Sequence, residues 1–164
     1  MVVKIVPLAA VMYVVVLASC TNANQADSRN PAMSKAVDKS NSMKSYISLF
    51  EIPANEILRA VNFYQAILDI KIETVEMPEM QMGIFPYEGQ VVPGVIVQGE
   101  GYVPSSDGVT IYFDGGNDLK MVLDKVEANG GRVLTPKTAH ADGNGYFAIF
   151  LDSEGNKMGL NSPN

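Results

Sequence analysis

The stretch FAIFLDSEGNKMGL, Phe147–Leu160, decides the fold of this chain. An apolar run is followed by a tight Asp-Ser-Glu-Gly-Asn turn and a second short apolar run, which predicts a β-hairpin. Gly155 is placed to take the positive φ that such a turn requires. Gly159 lies inside the second strand, where glycine is unusual unless a bulge or a close approach to the backbone needs it. We therefore expect Gly159 either to make room for another group or to mark a lost side chain.

Together with this hairpin, the segments before it predict a module of one strand, one helix and three strands. GVTIYFD (108–114) alternates as a strand, and Asn117 or Asp118 is expected to cap the helix DLKMVLDKVEAN (118–129). Gly130 and Gly131 end that helix. The next three strands are RVLTP, YFAIFLD and KMGLN.

The same order of elements occurs earlier in the chain. SYISLFEIP (45–53) reads as a strand, and Asn55 is expected to cap the helix EILRAVNFYQAIL (56–68). Three extended segments follow, DIKIETVEM, MQMGIFPY and VPGVIVQGE. An offset of about 62 residues aligns the two halves and places Leu49 on Ile111 and Phe50 on Tyr112. The sequence therefore predicts an α+β fold of two tandem βαβββ modules, at about 46–99 and 108–161.

This repeat resembles the vicinal oxygen chelate superfamily, which contains glyoxalase I, bleomycin-resistance proteins and extradiol dioxygenases. The resemblance rests on FEIPANEILRAVNFYQAIL, DLKMVLDKVEANGGRVLTPKT and FAIFLDSEGNKMGL, and it covers residues 46–161. It implies that each module curls its sheet into half a barrel and that the paired halves enclose one cavity. It also leaves open a homodimer, since relatives often dimerise.

The resemblance implies metal-ligand positions that this chain does not fill with ligands. Metal-using members carry His or Gln on the first strand of each module and Glu on the last. Aligned strand by strand, these positions fall at Leu49, Ile111 and Gly159, whose side chains cannot ligate a metal. We therefore expect no divalent metal and no other cofactor.

Within the family geometry, Glu51 is the candidate catalytic residue. It shares strand parity with Leu49, so it is expected to point into the cavity among Leu49, Ile111 and Phe113, where desolvation would raise its pKa and suit a general base. The alternative is a strand-end carboxylate paired with a Lys, an Arg or a backbone amide. The candidate ligand-binding residues are Leu49, Glu51, Gln98, Ile111, Phe113, Tyr146, Gly159 and Asn161. His140, the only histidine, lies in a Gly-rich loop, where a surface position without function is the simpler interpretation.

The first twenty residues have a pattern of their own. The apolar run IVPLAAVMYVVVLA is short for a membrane span and meets LASC, Leu17–Cys20. That tetrapeptide resembles the lipobox of bacterial lipoproteins, in which the signal is cut before a cysteine that then carries the lipid. The alternative is an ordinary signal peptide or a retained membrane helix with an incidental cysteine. Cys20 is the only cysteine and cannot form an internal disulfide.

The lipobox resemblance implies a location in the bacterial cell envelope. Residues 1–19 would be the signal peptide and Cys20 the site of lipidation (diacylglycerol and palmitate). Residues 20–45 are rich in Asn, Ser, Asp, Lys and Ala and are expected to be a flexible tether. Because Thr21 rather than Asp follows the cysteine, the resemblance favours the outer membrane, facing the periplasm, in a cell that has two membranes.

Three functions fit these observations. The first is metal-free binding of a small, largely apolar molecule by a tethered domain. The second is a lyase or isomerase of the glyoxalase type that uses Glu51 or an atypical metal site, and the third is a scaffold for protein interactions. The net charge of −6 over 164 residues argues against a nucleic-acid partner, which would need a basic footprint.

Overall fold

A computed structural model describes residues 45–164 and shows two consecutive βαβββ modules. The predicted α+β fold is thereby confirmed, whereas the predicted signal peptide, Cys20 and nearly all of the tether lie outside the described residues. The first module contains β1 (Phe50–Pro53), α1 (Ile57–Leu68), β2 (Glu73–Met77), β3 (Met80–Ile84) and β4 (Gly94–Gly99). The second contains β5 (Ile111–Asp114), α2 (Lys120–Val126), a 3-10 turn (Glu127–Asn129), β6 (Arg132–Ala139), β7 (Tyr146–Leu151) and β8 (Lys157–Ser162).

Each module forms its own mixed four-stranded sheet. The strand orders are β1-β4-β3-β2 and β5-β8-β7-β6, so β1 and β5 are edge strands. Each edge strand pairs in parallel with the last strand of its module, and the remaining pairs are antiparallel. Among the described residues, no helix is long and apolar enough to span a membrane.

The first strand is shorter than the sequence predicts. It begins at Phe50, which pairs with Gly94, the first residue of β4. The residues before Phe50 have no partner in β4, and Leu49 and Ile47 are 45% and 60% exposed. The alternation of side chains in the sequence therefore begins several residues before the backbone pairing that defines the strand.

The parity of β1 and β5 also corrects the predicted alignment of the two halves. The first residues of these strands, Phe50 and Ile111, are 61 positions apart, not about 62. Ile52 and Phe113 both point toward the helices, and Glu51 and Tyr112 point to the opposite, open face of their sheets. Because side chains alternate along a strand, the one-residue shift leaves Glu51 on the open face and moves Ile111 and Phe113, both predicted to face the cavity, to the helix side of β5.

A continuous aromatic core joins the modules on the helix side. The ring of Tyr64, on α1, lies 5.6 Å from Phe85 of the first module and 5.6 Å from Phe113 of the second. Phe63, also on α1, lies 6.2 Å from Phe150 on β7. Burial of such large rings stabilises the contact between the two modules.

The first turn of α1 is capped from the other end of the chain. The carboxylate of Glu154, in the β7–β8 turn, accepts hydrogen bonds from the amides of Asn55 (2.9 Å) and Glu56 (3.0 Å). The amide of Ile57 donates to Oε1 of Gln98 at 2.8 Å. The prediction that Asn55 caps this helix is therefore wrong, because distant side chains satisfy the free amides of the first turn.

Candidate functional site

A groove of about 510 Å³ runs between the two modules, and we call it the inter-module groove. Phe50, Phe85 and the end of α1 form one wall, and β5 from Ile111 to Asp114 forms the other. The β3–β4 connection contributes residues 89–92 at the rim. The groove exists because β1 and β5 are both edge strands and leave open space between the two sheets.

Three phenylalanines make the interior of this groove apolar and stiff. Phe50 lies 5.9 Å from Phe85 and 6.1 Å from Phe113, and Phe85 stacks on Phe113 at 5.9 Å. All three also belong to or pack against the aromatic core. An apolar ligand in the groove would therefore contact rings that are already held in place.

Gly159 makes room for the ring of Tyr112, which answers the question raised by the sequence. The two residues are paired across β5 and β8. A β-carbon at Gly159 would lie 2.4 Å from Cδ1 of Tyr112, closer than carbon atoms pack. One side of the ring thus rests on the backbone of β8, while the side chain remains 49% exposed at the groove.

The open face of the second sheet gathers polar groups beside Tyr112. Asp114 pairs with Asn161, and one carboxylate oxygen of Asp114 accepts a 2.8 Å hydrogen bond from the amide of Gly116. Nε2 of His140 lies 2.7 Å from Oδ1 of Asn161, and its ring lies 5.1 Å from that of Phe147. His140 is therefore held against the sheet. No periodicity in the sequence indicated its pairing with Asn161, since the two belong to different hairpins.

Glu51 does not have the environment that the sequence predicts. Its side chain is exposed, so the expectation of a desolvated carboxylate is wrong. It faces a smaller groove of about 260 Å³, lined also by Val109 and Lys157. The hydroxyl of Tyr102 donates a 3.2 Å hydrogen bond to Glu51 and, because of that bond, the pKa of Tyr102 is raised.

Two further predicted cavity residues are on the helix side of their sheets. Gln98 caps α1 through Ile57, and Tyr146 lies under the ammonium of Lys137, 4.5 Å from the ring centroid. Leu49 is exposed ahead of β1, while Ile111 and Phe113 line the inter-module groove from the core face of β5. The structure thus brings together Ile111, Phe113, Gly159 and Asn161 around Tyr112, and leaves Leu49, Glu51, Gln98 and Tyr146 elsewhere.

The donor set does not fit the metal that the resemblance implies. With the corrected parity, the implied metal-ligand positions on the open face of the first and last strands fall at Glu51 and Val95 in one module, and at Tyr112 and Gly159 in the other. One carboxylate and one phenol are fewer than the three or four protein ligands that a Zn²⁺ ion takes. Within residues 45–164, no group of three His, Cys, Asp or Glu side chains is placed to hold a metal.

The comparisons with known proteins agree with this architecture. Residues 46–160 match the glyoxalase/bleomycin resistance protein/dioxygenase superfamily. A glyoxylase-like domain-containing protein from Didymella fabae is 32% identical over 115 residues, which are 67% of this chain and 88% of that protein. The chain therefore belongs to the glyoxalase/bleomycin resistance protein/dioxygenase superfamily.

Solved structures with low sequence identity share the fold. Glyoxalase I from Zea mays superposes with a TM-score of 0.58 at 20% identity over 70% of this chain, which spans 45% of the maize protein. A glyoxalase/bleomycin resistance protein from Albidiferax ferrireducens gives 0.58 at 21% identity, covering 72% of this chain and 98% of that one. A variant of the fosfomycin resistance protein FosX from Listeria monocytogenes, complexed with Mn(II) and dihydroxypropylphosphonic acid, gives 0.56 at 16% identity over 74% and 95% of the two chains.

Proposed function

We propose that this protein is a lipid-anchored envelope protein whose domain binds a small, largely apolar molecule in the inter-module groove without a metal. The observation that carries the proposal is the groove itself, which has a volume of about 510 Å³ and is walled by Phe50, Phe85 and Phe113. Small-molecule sites are typically concave, mostly apolar and of this size. The wall is preformed, so binding would not have to order it.

The polar groups near the groove support binding more than catalysis. Tyr112 and Asp114 lie at one side, where a few polar contacts can orient a ligand. Neither lies within hydrogen-bond distance of an imidazole or a second carboxylate in the described part of the chain, so no acid–base pair is assembled there.

A fluorescent apolar probe tests groove binding. We expect the neutral dye N-phenyl-1-naphthylamine to bind saturably, with a rise in its emission that is free of tryptophan background because the chain contains no tryptophan. Val91, 48% exposed at the groove rim, gives the test variant Val91→Asp, and Val109, 92% exposed and outside the inter-module groove, gives the control Val109→Asp.

The two variants separate groove binding from a general surface effect. A carboxylate at the rim should weaken dye binding about tenfold, because the bound dye would remove water from the charged group without offering it a partner. The Val109→Asp control should bind like the unaltered protein. Absence of saturable binding, or equal loss in both variants, would contradict the proposal and favour the scaffold function.

The pair formed by Tyr102 and Glu51 favours a second candidate function, a lyase or isomerase of the glyoxalase type. A carboxylate that accepts a hydrogen bond from a phenol can act as a base beside a proton donor. Turnover of methylglyoxal–thiol adducts that Glu51→Gln abolishes would support this function. No turnover by the unaltered protein would exclude it for these substrates.

The lipid anchor is tested by metabolic labelling of the full chain in a bacterial host. We expect radiolabelled palmitate to be incorporated and to be lost in Cys20→Ser, since Cys20 is the only cysteine. An unlabelled protein in the membrane-free fraction would contradict the anchor and would leave the groove proposal standing.

A further inference from the structure

We infer that the inter-module groove takes a lipophilic monocation, an aromatic or alicyclic body that bears one ammonium group, with Asp114 as its counter-charge. This inference rests on the proposed function of the groove and adds the chemical class of the ligand. It is carried by the charges that line the groove and by the position of Tyr112 beside Asp114.

The lining of the groove is unbalanced in charge. Asp114 is its one carboxylate, and none of the described residues that line it is Lys, Arg or His. The remaining lining is apolar or neutral, with Gln90 and Tyr112 as its polar side chains. A ligand that leaves the water and fills this space would therefore meet one negative charge without a positive one.

The carboxylate of Asp114 can accept a further hydrogen bond from a ligand. Its Oδ1 accepts one hydrogen bond, from the amide of Gly116 at 2.8 Å. That bond orients the carboxylate at the end of β5 and leaves its second oxygen for another donor. Within residues 45–164, no Lys, Arg or His nitrogen lies in an ion pair with it.

The ring of Tyr112 provides the second contact for a cation. Because one side of the ring rests on Gly159, the other side is presented to solvent at the groove. A ring face attracts an ammonium group placed over it. The residue lies next to Asp114 on the same strand and lines the same groove, so one ligand can reach both.

The same groups disfavour an anion. An anionic ligand would lie against Asp114, and the side chains that line the groove offer it no positive partner. A histidine does line the adjoining open face, but Nε2 of His140 is engaged by Asn161. A neutral ligand would bind through the phenylalanine wall alone, so the order of affinity should be cation, neutral molecule, anion.

Three naphthalene probes of similar size, one positively charged, one neutral and one negatively charged, test this order by titration calorimetry on the full chain. They are 2-naphthylmethylammonium, 2-naphthylmethanol and 2-naphthoate, of which the first should bind tightest. The test variant is Asp114→Asn, which keeps an oxygen for the amide of Gly116, and the control is Asp107→Asn, an exposed aspartate outside the groove. Asp114→Asn should weaken the ammonium probe about fivefold and leave the alcohol unchanged.

The outcomes distinguish this inference from the proposal on which it depends. Selective loss of ammonium binding in Asp114→Asn, reduced by added salt and absent in Asp107→Asn, would support the inference. Equal affinity of the unaltered protein for all three probes would overturn the inference while leaving groove binding intact. Equal affinity of Asp114→Asn and Asp107→Asn for the ammonium probe would overturn it in the same way. Failure of every probe and of the neutral dye would overturn both.

Discussion

The hydroxyl of Tyr64 donates a 2.7 Å hydrogen bond to Asp152, and this buried pair joins the two modules. Tyr64 is fully buried on α1, and Asp152 is 3% exposed at the start of the β7–β8 turn. Burial, then the charge of Asp152 and this hydrogen bond, raise the pKa of Tyr64 well above its ordinary value. The amide side chain of Asn156, in the same turn, donates both to Asp152 (2.9 Å) and to the carbonyl of Pro53 at the end of β1 (2.8 Å). The turn therefore holds the inter-module contact that shapes the groove.

The first prediction concerns Tyr64→Phe. This change keeps the ring and removes the donor, so the buried carboxylate of Asp152 keeps only its bonds to the amides of Glu154 and Asn156 and to the Asn156 side chain. We expect the free energy of unfolding to fall by about 1–3 kcal/mol. Urea denaturation followed by circular dichroism measures this.

An exposed tyrosine gives the matched control for that substitution. Tyr87 is 69% exposed, and Tyr87→Phe should change the free energy of unfolding by less than about 0.5 kcal/mol. Equal effects of the two substitutions would show that the hydroxyl of Tyr64 contributes nothing specific to the inter-module contact.

The second prediction concerns the loss of stability at low pH that follows from protonation of Glu154. Burial alone would raise the pKa of Glu154, but hydrogen bonds from Arg59 and from the amides of Glu56 and Asn55 outweigh it and lower the pKa. The stabilisation is therefore fully present above the ordinary glutamate pKa of about 4.3 and is lost as the pH falls through the lower folded-state value.

Urea midpoints of the unaltered protein and of Glu154→Gln, measured from pH 7 down to pH 3, test this sign. The variant should be less stable at neutral pH, and the difference should narrow as the pH falls. A control, Asp107→Asn, alters an exposed carboxylate for which the structure shows no side-chain partner within residues 45–164. A constant difference between Glu154→Gln and the unaltered protein across this range would contradict the assigned role.

The fold could be predicted from the sequence because its determinants are local and occur twice. The turn after Leu151 forms as expected, with Gly155 at a φ of 96°. Both helices follow their predicted segments, and Gly130 ends the second at a φ of 92°. Apolar periodicity and turn residues specify such elements without reference to distant parts of the chain.

The site was harder to predict, because one residue of register decides which side chains share a face. Alternation in SYISLFEIP gave the parity of β1 correctly, but it could not show that pairing starts only at Phe50. The predicted alignment of the two halves is therefore one residue out, and it places Ile111 where the structure has Tyr112. The cap of α1 escaped prediction for a related reason, since Glu154 is nearly a hundred residues away in sequence.

The third prediction follows from the contact between Gly159 and Tyr112. In Gly159→Ala the new β-carbon would clash with the ring, which must swing off β8. We expect a loss of about 1–3 kcal/mol in the free energy of unfolding, as for other overpacked positions. In a Tyr112→Ala background the same change should cost much less, and a double-mutant cycle by urea denaturation measures the difference. An unchanged cost in that background would show that the backbone at Gly159, and not the contact with Tyr112, disfavours a β-carbon there.

The last prediction is that the purified full-length chain, stripped of metal, takes up no stoichiometric Ni²⁺, Zn²⁺, Mn²⁺ or Fe²⁺. The reason is the chemistry of the four positions that correspond to the family's metal ligands, where Val95 and Gly159 offer no donor and Glu51 is the one carboxylate. Titration calorimetry, with metal analysis after dialysis and no polyhistidine tag, measures uptake. Because Cys20 could bind zinc on its own, Cys20→Ser is titrated in parallel. Tight binding of one ion per chain that persists in Cys20→Ser but is lost in Glu51→Gln would contradict the prediction, and it would make glyoxalase-type chemistry at Glu51 the better account of this protein.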